Sequence, residues 1–301
     1  MTRGSADLLL LCASLIWGAA FVGQSTAMAH VGPLTFIGVR FTLATIALLP
    51  FAAAEARRSA TRLPADRLAG LVGIGAVFFL GASLQQMGIV TTTVTNAGFL
   101  TVLYVVMVPA IGALFLGHRL PGAIWPAAAL SVLGTFLLGG GHMGGLGRGD
   151  LLIILGALFW SVQILGLGAA AGRLRRPFTI TMIQFAVAAA FGLASGFLFE
   201  NPRLDGIAAA WKELAYTGIV SGGLAFTLQS IGQIHTPAAD SAILLSMESL
   251  FAALFGALLL GERLSFTGWL GGTLVLAAAI IVQVGPLLAG RPPAAGETPP
   301  S

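Results

Sequence analysis

Ten stretches of about 20 predominantly apolar residues alternate with short polar connections along the chain. They run over 8–27, 34–54, 67–87, 96–116, 121–140, 150–169, 178–199, 212–232, 241–260 and 266–288. At a helical rise of 1.5 Å per residue, each is long enough to cross a hydrocarbon core about 30 Å thick. A membrane barrel would instead show segments of roughly ten residues with alternating polarity. The pattern predicts an all-α integral membrane protein with ten transmembrane helices.

The polar positions between and within these stretches repeat. "DLLLLCASLIWG" at 7–18 matches "DLLIILGALFWS" at 150–161, aligning Asp7 with Asp150 and Trp17 with Trp160, a shift of 143. From Pro33 to Leu120 the shift is 144 without a gap. It places Arg40-Phe41 on Gln184-Phe185, Gln85 on Gln229, Asn96 on Asp240, Tyr104 on Glu248 and Trp125 on Trp269. The predicted organisation is a first five-helix repeat at 1–140, a Gly-rich linker at 141–149, a second repeat at 150–288 and a tail at 289–301. The tail, ending "RPPAAGETPPS", is Pro-rich and polar and reads as disordered. Five spans per repeat is an odd number, so the second repeat enters the bilayer from the opposite face. Two inverted repeats of this kind suit alternating access around a midplane site.

Composition sharpens the picture. The chain is 57% hydrophobic and 9% charged, against roughly a quarter charged in soluble domains. Its basic residues follow the positive-inside pattern. With the N-terminus in the cytoplasm, Arg3, Arg57, Arg58, Arg62, Arg67, Arg119, Arg173, Arg175, Arg176 and Arg291 fall inside. Only Arg148, Arg203, Lys212 and Arg263 fall outside, and Arg40 lies within a span. Both termini are expected in the cytoplasm, and the basic charge sets topology rather than binding nucleic acid. "AMA" at 27–29 has the form of a signal cleavage site. The preceding apolar run is too long for a signal peptide, and its counterpart in the second repeat is a span, so the segment is expected to be retained.

Several stretches resemble the EamA-type members of the drug/metabolite transporter superfamily. They are "GPLTFIGVRF" at 32–41 with Arg40, "YVVMVPAIGALFLGHRL" at 104–120 and "MESLFAALFGALLLGERLSFTGWLGG" at 247–272. The resemblance covers the whole chain and implies a bacterial exporter of small metabolites, often amino acids, sugars, nucleobases or amphipathic drugs. The family pattern often has Pro after the acid of span nine, where this chain has Ser249.

Glu248 is the one acid inside an otherwise apolar or small helix-length stretch, about 12 Å from its near end. A charge at such depth costs roughly 2.5–3.5 kcal/mol on insertion scales, so it needs a partner or a wet cavity. It is a candidate for proton coupling or for binding a substrate amine, or else hydrogen-bonded glue between helices. Arg40, about 9 Å inside span two, is expected to offset Glu248, to neutralise a substrate carboxylate, or to snorkel to the headgroups. Amides and aromatics fall in helical stripes: Trp17 and Gln24, Gln85, Thr101 and Tyr104, Trp160 and Gln163, Gln229 and Gln233. Together with Glu248 they form the expected lining of a substrate pocket. Asn96 and Asp240 begin spans four and nine and read as helix N-caps. Trp125, Trp211 and Trp269 read as interfacial residues, and Gly268 and Gly272 as a packing motif.

No cofactor or metal is implied. There is no phosphate-binding GK[ST] loop, Cys12 is the single cysteine, and His30, His118, His142 and His235 lack ligand spacing. The reading is a secondary transporter, with a lipid-moving protein, an intramembrane enzyme or a structural membrane protein as alternatives. Expected partners are a small-molecule substrate, the lipid bilayer and protons, with the chain a monomer or weak homodimer. One Lys against fourteen Arg, with abundant Ala and Gly, points to a GC-rich bacterial genome and hence to an inner membrane.

Overall fold

The computed structural model describes residues 1–59, 63–118, 122, 124–138, 141, 147–261, 263 and 265–288. Arg62, Arg119, His142, Arg291, most of the expected linker and the tail at 289–301 lie outside the described residues. The elements in chain order are α1 (Arg3–Ala27), α2 (Pro33–Arg58), α3 (Ala65–Ile89), α4 (Val94–Thr101), α5 (Tyr104–Leu116), α6 (Ile124–Leu138) and α7 (Arg148–Leu174). Then come α8 (Pro177–Phe199), α9 (Leu204–Ala209), α10 (Trp211–Ala215), a π segment (Tyr216–Ala225), α11 (Phe226–Gly232), α12 (Ala238–Leu245), α13 (Met247–Leu260) and α14 (Phe266–Leu288). Eight helical stretches are long and apolar enough to cross a membrane, with α4–α5, α10–α11 and α12–α13 each counting as one. The apolar helices Ile124–Leu137 and Phe266–Ile281 are shorter. The chain is a multi-pass membrane protein.

The equivalent helices of the two repeats, α2 and α8, run antiparallel and close on each other at both ends. The carboxylate of Glu55 at the end of α2 accepts from the Thr179 backbone N–H (2.8 Å) and hydroxyl (2.7 Å), at the start of α8. In return, Glu200, just past the end of α8, accepts from the backbone N–H groups of Leu34 and Thr35 at the start of α2, both at 2.8 Å. Each carboxylate meets the unpaired donors and the positive dipole end of a helix N-terminus. Between these ends the helices touch backbone to backbone. A Cβ on Gly38 would sit 2.5 Å from the Leu193 nitrogen and 2.8 Å from the Gly192 carbonyl carbon.

Phe41 stacks on Phe185 with ring centroids 5.0 Å apart. These are equivalent residues, and a residue that touches its own repeat mate lies beside the axis relating the repeats. The core therefore condenses about that axis, with Phe78, Trp160 and Phe226 completing one cluster of rings. Peripherally, α6 packs on α14 through Gly134, which lies against the Gly271 carbonyl.

The proposed N-caps are corrected by the structure. Thr93, not Asn96, caps α4, its hydroxyl accepting from the Asn96 N–H at 3.1 Å. Asp240 sits inside α12 and bonds to Arg3, while the cap position is Pro237, with no side-chain bond. A β-branched hydroxyl three residues earlier out-competes Asn96, and a distant arginine claims Asp240.

Candidate functional site

Two of the long apolar stretches are broken in the middle, and at equivalent places. The first breaks at Val102-Leu103, between α4 and α5; the second breaks at Ser246, between α12 and α13. Ser246 is Val102's repeat mate. At the second break, the Ser246 hydroxyl donates to the Ile243 carbonyl at 2.6 Å, and the Ser249 hydroxyl to the Ser246 carbonyl at 2.8 Å. Serine hydroxyls bonded to nearby carbonyls offer the backbone an alternative to the helix ladder. The interruption is thus made with Ser249, not a proline, after the acid. Broken helices in membranes are tolerated where they line a protein-enclosed cavity.

Each break delivers a polar side chain to the first turn of the following half-helix. Tyr104 opens α5 and Glu248 lies in the first turn of α13. The Tyr104 hydroxyl donates to Oε1 of Glu248 at 3.0 Å. Both are buried, at 3% and 5% exposure. They border a cavity of about 40 Å³, room for about three waters.

Of the residues singled out from sequence, Trp17, Gln24, Arg40, Gln85, Thr101, Trp160, Gln163 and Gln229 also line this cavity. Arg40 is 3% exposed. Its Nη1 donates to Gln24 Oε1 at 2.9 Å, and its guanidinium lies 4.4 Å from the Phe41 ring centroid. That burial rules out snorkelling to the headgroups. Among the described residues Arg40 forms no ion pair, with Glu248 or any other acid, and its Nε has no hydrogen-bond partner. The direct offset of Glu248 by Arg40 is therefore corrected: the two side chains face one cavity separately. A lone desolvated guanidinium is costly, and the ring contact recovers part of that.

The walls are aromatic and amide. Trp17 donates its indole N–H to the Ser221 carbonyl at 3.1 Å and packs on Phe226, centroids 4.5 Å apart. That carbonyl belongs to the π segment, a helical irregularity often found at functional sites. Gln85 donates to the Thr101 hydroxyl at 2.8 Å, and Gln163 donates to Gln184 Oε1, the residue equivalent to Arg40, at 3.1 Å. Left without partners are the Trp160 indole N–H and the Oε1 atoms of Gln163 and Gln229. Buried polar atoms are nearly always satisfied, and these three, without a partner among the described residues, border the cavity.

Gln233 does not line the cavity; it donates to the Ile164 carbonyl at 3.2 Å, one turn beyond. Phe21, Ile164, Ser221 and Leu245 line it without having been singled out. Phe226, one turn before Gln229 on α11, lines it as well.

Comparison with known proteins places this architecture. A transporter of Archaeoglobus fulgidus without a characterised substrate is 32% identical over 281 residues, covering 93% of this chain and 86% of its own length. The aromatic amino acid exporter YddG of Ancylobacter novellus is 27% identical over 244 residues, covering 77% of this chain and 80% of its own. A crystal structure 22% identical superposes with a TM-score of 0.76, covering 96% of this chain and 99% of the other, and shares the fold. The profile of the EamA-like transporter family matches twice, over residues 4–140 and again over 147–284. The chain belongs to the EamA-like transporter family, within the drug/metabolite transporter superfamily.

Proposed function

We propose that this chain exports small zwitterionic solutes, amino acids or related amphipathic molecules, by alternating access through the central cavity, with Glu248 carrying a coupled proton. One observation carries the reading. Arg40 and Glu248, a base and an acid, face the same cavity and do not pair with each other among the described residues. A ligand with a carboxylate for Arg40 and an amine for Glu248 complements both. Its apolar part fits against Trp17, Trp160 and Phe226, and its remaining polar atoms meet the unpartnered amides. The export of aromatic amino acids by a relative supports the same class.

The membrane arrangement proposed with it has ten spans in two inverted repeats at 1–140 and 150–288, α6 and α14 being the two shorter ones. Both termini lie in the cytoplasm of a bacterial inner membrane. The antiparallel closure of α2 on α8 supports the inversion, and the arginine distribution supports the orientation.

The test is the extracellular metabolite profile of cells overproducing the wild type, Glu248→Gln or Arg40→Gln, with each protein verified in the membrane. Solutes accumulating outside only with the wild type support the reading and identify the substrate. Equal export by wild type and Glu248→Gln removes the acid from the mechanism. An unchanged medium for all three overturns export.

A further inference from the structure

A hydrogen bond between the two repeats occurs twice, at opposite ends of the bundle. Thr236 Oγ1 donates to Asp7 Oδ1 at 2.7 Å, and Thr92 Oγ1 donates to Asp150 Oδ1 at 2.7 Å. Asp7 and Asp150 are equivalent (7 + 143 = 150), as are Thr92 and Thr236 (92 + 144 = 236). One bond is therefore the image of the other. Each ties the start of the first helix of one repeat to the turn that precedes the broken helix of the other. If the repeats rock against each other, opening one face of the cavity separates one bond and leaves its image intact.

The two are not equally strong. At the face carrying the N-terminus, Arg3 joins the pair: its Nη2 bonds Asp240 Oδ2, and its Nε lies 3.7 Å from Asp7 Oδ2. Asp7, Thr236 and Asp240 are 2%, 2% and 8% exposed. At the other face the sequence carries Leu146 where Arg3 would fall and Asn96 in place of Asp240. There Thr92 and Asp150 are half-buried. The second oxygen of Asp150 accepts only from the backbone N–H of Gly147, at 2.9 Å, and no ion pair to it exists among the described residues. Breaking a shielded ion pair leaves uncompensated charge behind, whereas a half-exposed hydrogen bond is readily replaced by water.

We propose that Asp7–Thr236 with Arg3–Asp240, and Thr92–Asp150, are the two gates of the transport cycle, and that the Arg3 ion pair makes the gate on the N-terminal face the harder one to open. The resting protein is thereby biased toward opening on the opposite face. Both gates are closed in this structure, consistent with a cavity of only about 40 Å³ whose lining is less than a tenth exposed except at Trp17. The proposal rests on the alternating-access reading.

The test is accessibility of one cysteine, Ser221→Cys, in a Cys12→Ser background, to a membrane-impermeant methanethiosulfonate. It is applied to right-side-out cells and to inverted vesicles, with a tag on the N-terminus reporting which face is which. Asp240→Asn, which writes in the residue of the first repeat, and Arg3→Gln raise labelling from the N-terminal face about tenfold, the weight of one charge-assisted hydrogen bond. Both lower it from the other face. Asp150→Asn shifts both rates the opposite way, and Arg3→Lys behaves nearly as wild type. A rise from both faces alike means loosened packing and overturns the proposal, as does labelling that is robust but indifferent to the variants. Labelling from one face only, in every variant, overturns alternating access itself and the gates with it.

Discussion

The hydroxyl of Tyr104 donates to Glu248 at 3.0 Å, and the two residues hold the same place in their repeats. Groups that touch their own mates lie on the axis, so this position is shared by both halves. Two carboxylates there would face each other at hydrogen-bond distance and repel. A tyrosine opposite a glutamate gives a donor opposite an acceptor. The chain is asymmetric at this site, with a donor facing an acceptor where two like groups would otherwise meet.

Tyr104→Phe is expected to lower stability by about 1 kcal/mol, the net worth of a buried hydrogen bond. Thermal unfolding of the purified protein in detergent measures it. Tyr104→Gln, which restores a donor, recovers part of the loss. An unchanged melting temperature in Tyr104→Phe would show that Glu248 finds another partner.

Arg40→Met is expected to keep the fold and weaken binding of an α-amino acid by at least about tenfold, the weight of a bidentate charge-assisted contact. Binding of the corresponding decarboxylated amine stays within a few-fold. Quenching of cavity tryptophan fluorescence by phenylalanine and by phenethylamine makes the comparison. Equal loss for both ligands would assign Arg40 to structure alone.

Gly38→Ala places a methyl against the backbone of α8, where no side chain can rotate away. The expected loss is about 1–3 kcal/mol, read from the detergent melting curve. Gly70→Ala, with nothing within 4 Å of its new methyl, is the control and leaves the curve in place.

His235 lies in the turn between α11 and α12, outside the spans. Burial and the nearby positive charges of the N-terminal amine and Arg175 hold its imidazole below the usual 6.5. The unfolded chain therefore takes up this proton first as pH falls. The contribution to stability is complete above the ordinary histidine value and fades as pH drops through 6.5 toward the lower folded value. His235→Asn should flatten that limb of the stability profile, measured by melting between pH 5 and 8.

Much of this was legible before any coordinates. The duplication, the acid at Glu248, the arginine at Arg40 and the amide and aromatic stripes are written in residue identity, which the membrane makes informative because polar groups there are expensive. The helix breaks were not legible: Val102-Leu103 carries neither Gly nor Pro, and Ser246 reads as an ordinary small residue. Phe21, Ile164 and Leu245 escaped because an apolar residue facing a cavity looks the same in sequence as one facing lipid. Gln233 misled for a geometric reason, since continuing a helical stripe past the end of α11 carries the side chain beyond the cavity to the Ile164 carbonyl. Asp240 misled because position at a helix start is only one of the roles an aspartate can fill.

The reciprocal closure of α2 and α8 limits how the molecule can move. Glu55 holds the start of α8 at one end of the pair and Glu200 holds the start of α2 at the other. Sliding one helix along the other lengthens both attachments in one direction, presses both carboxylates into the helix ends in the other, and in either case drags the Gly38 backbone across that of Gly192. Shear between the repeats is thus opposed at three points, whereas a swing about the contact at Gly38 and Gly192 loads each attachment only slightly. The contact has a fulcrum and no rail, so pivoting is the relative motion it resists least.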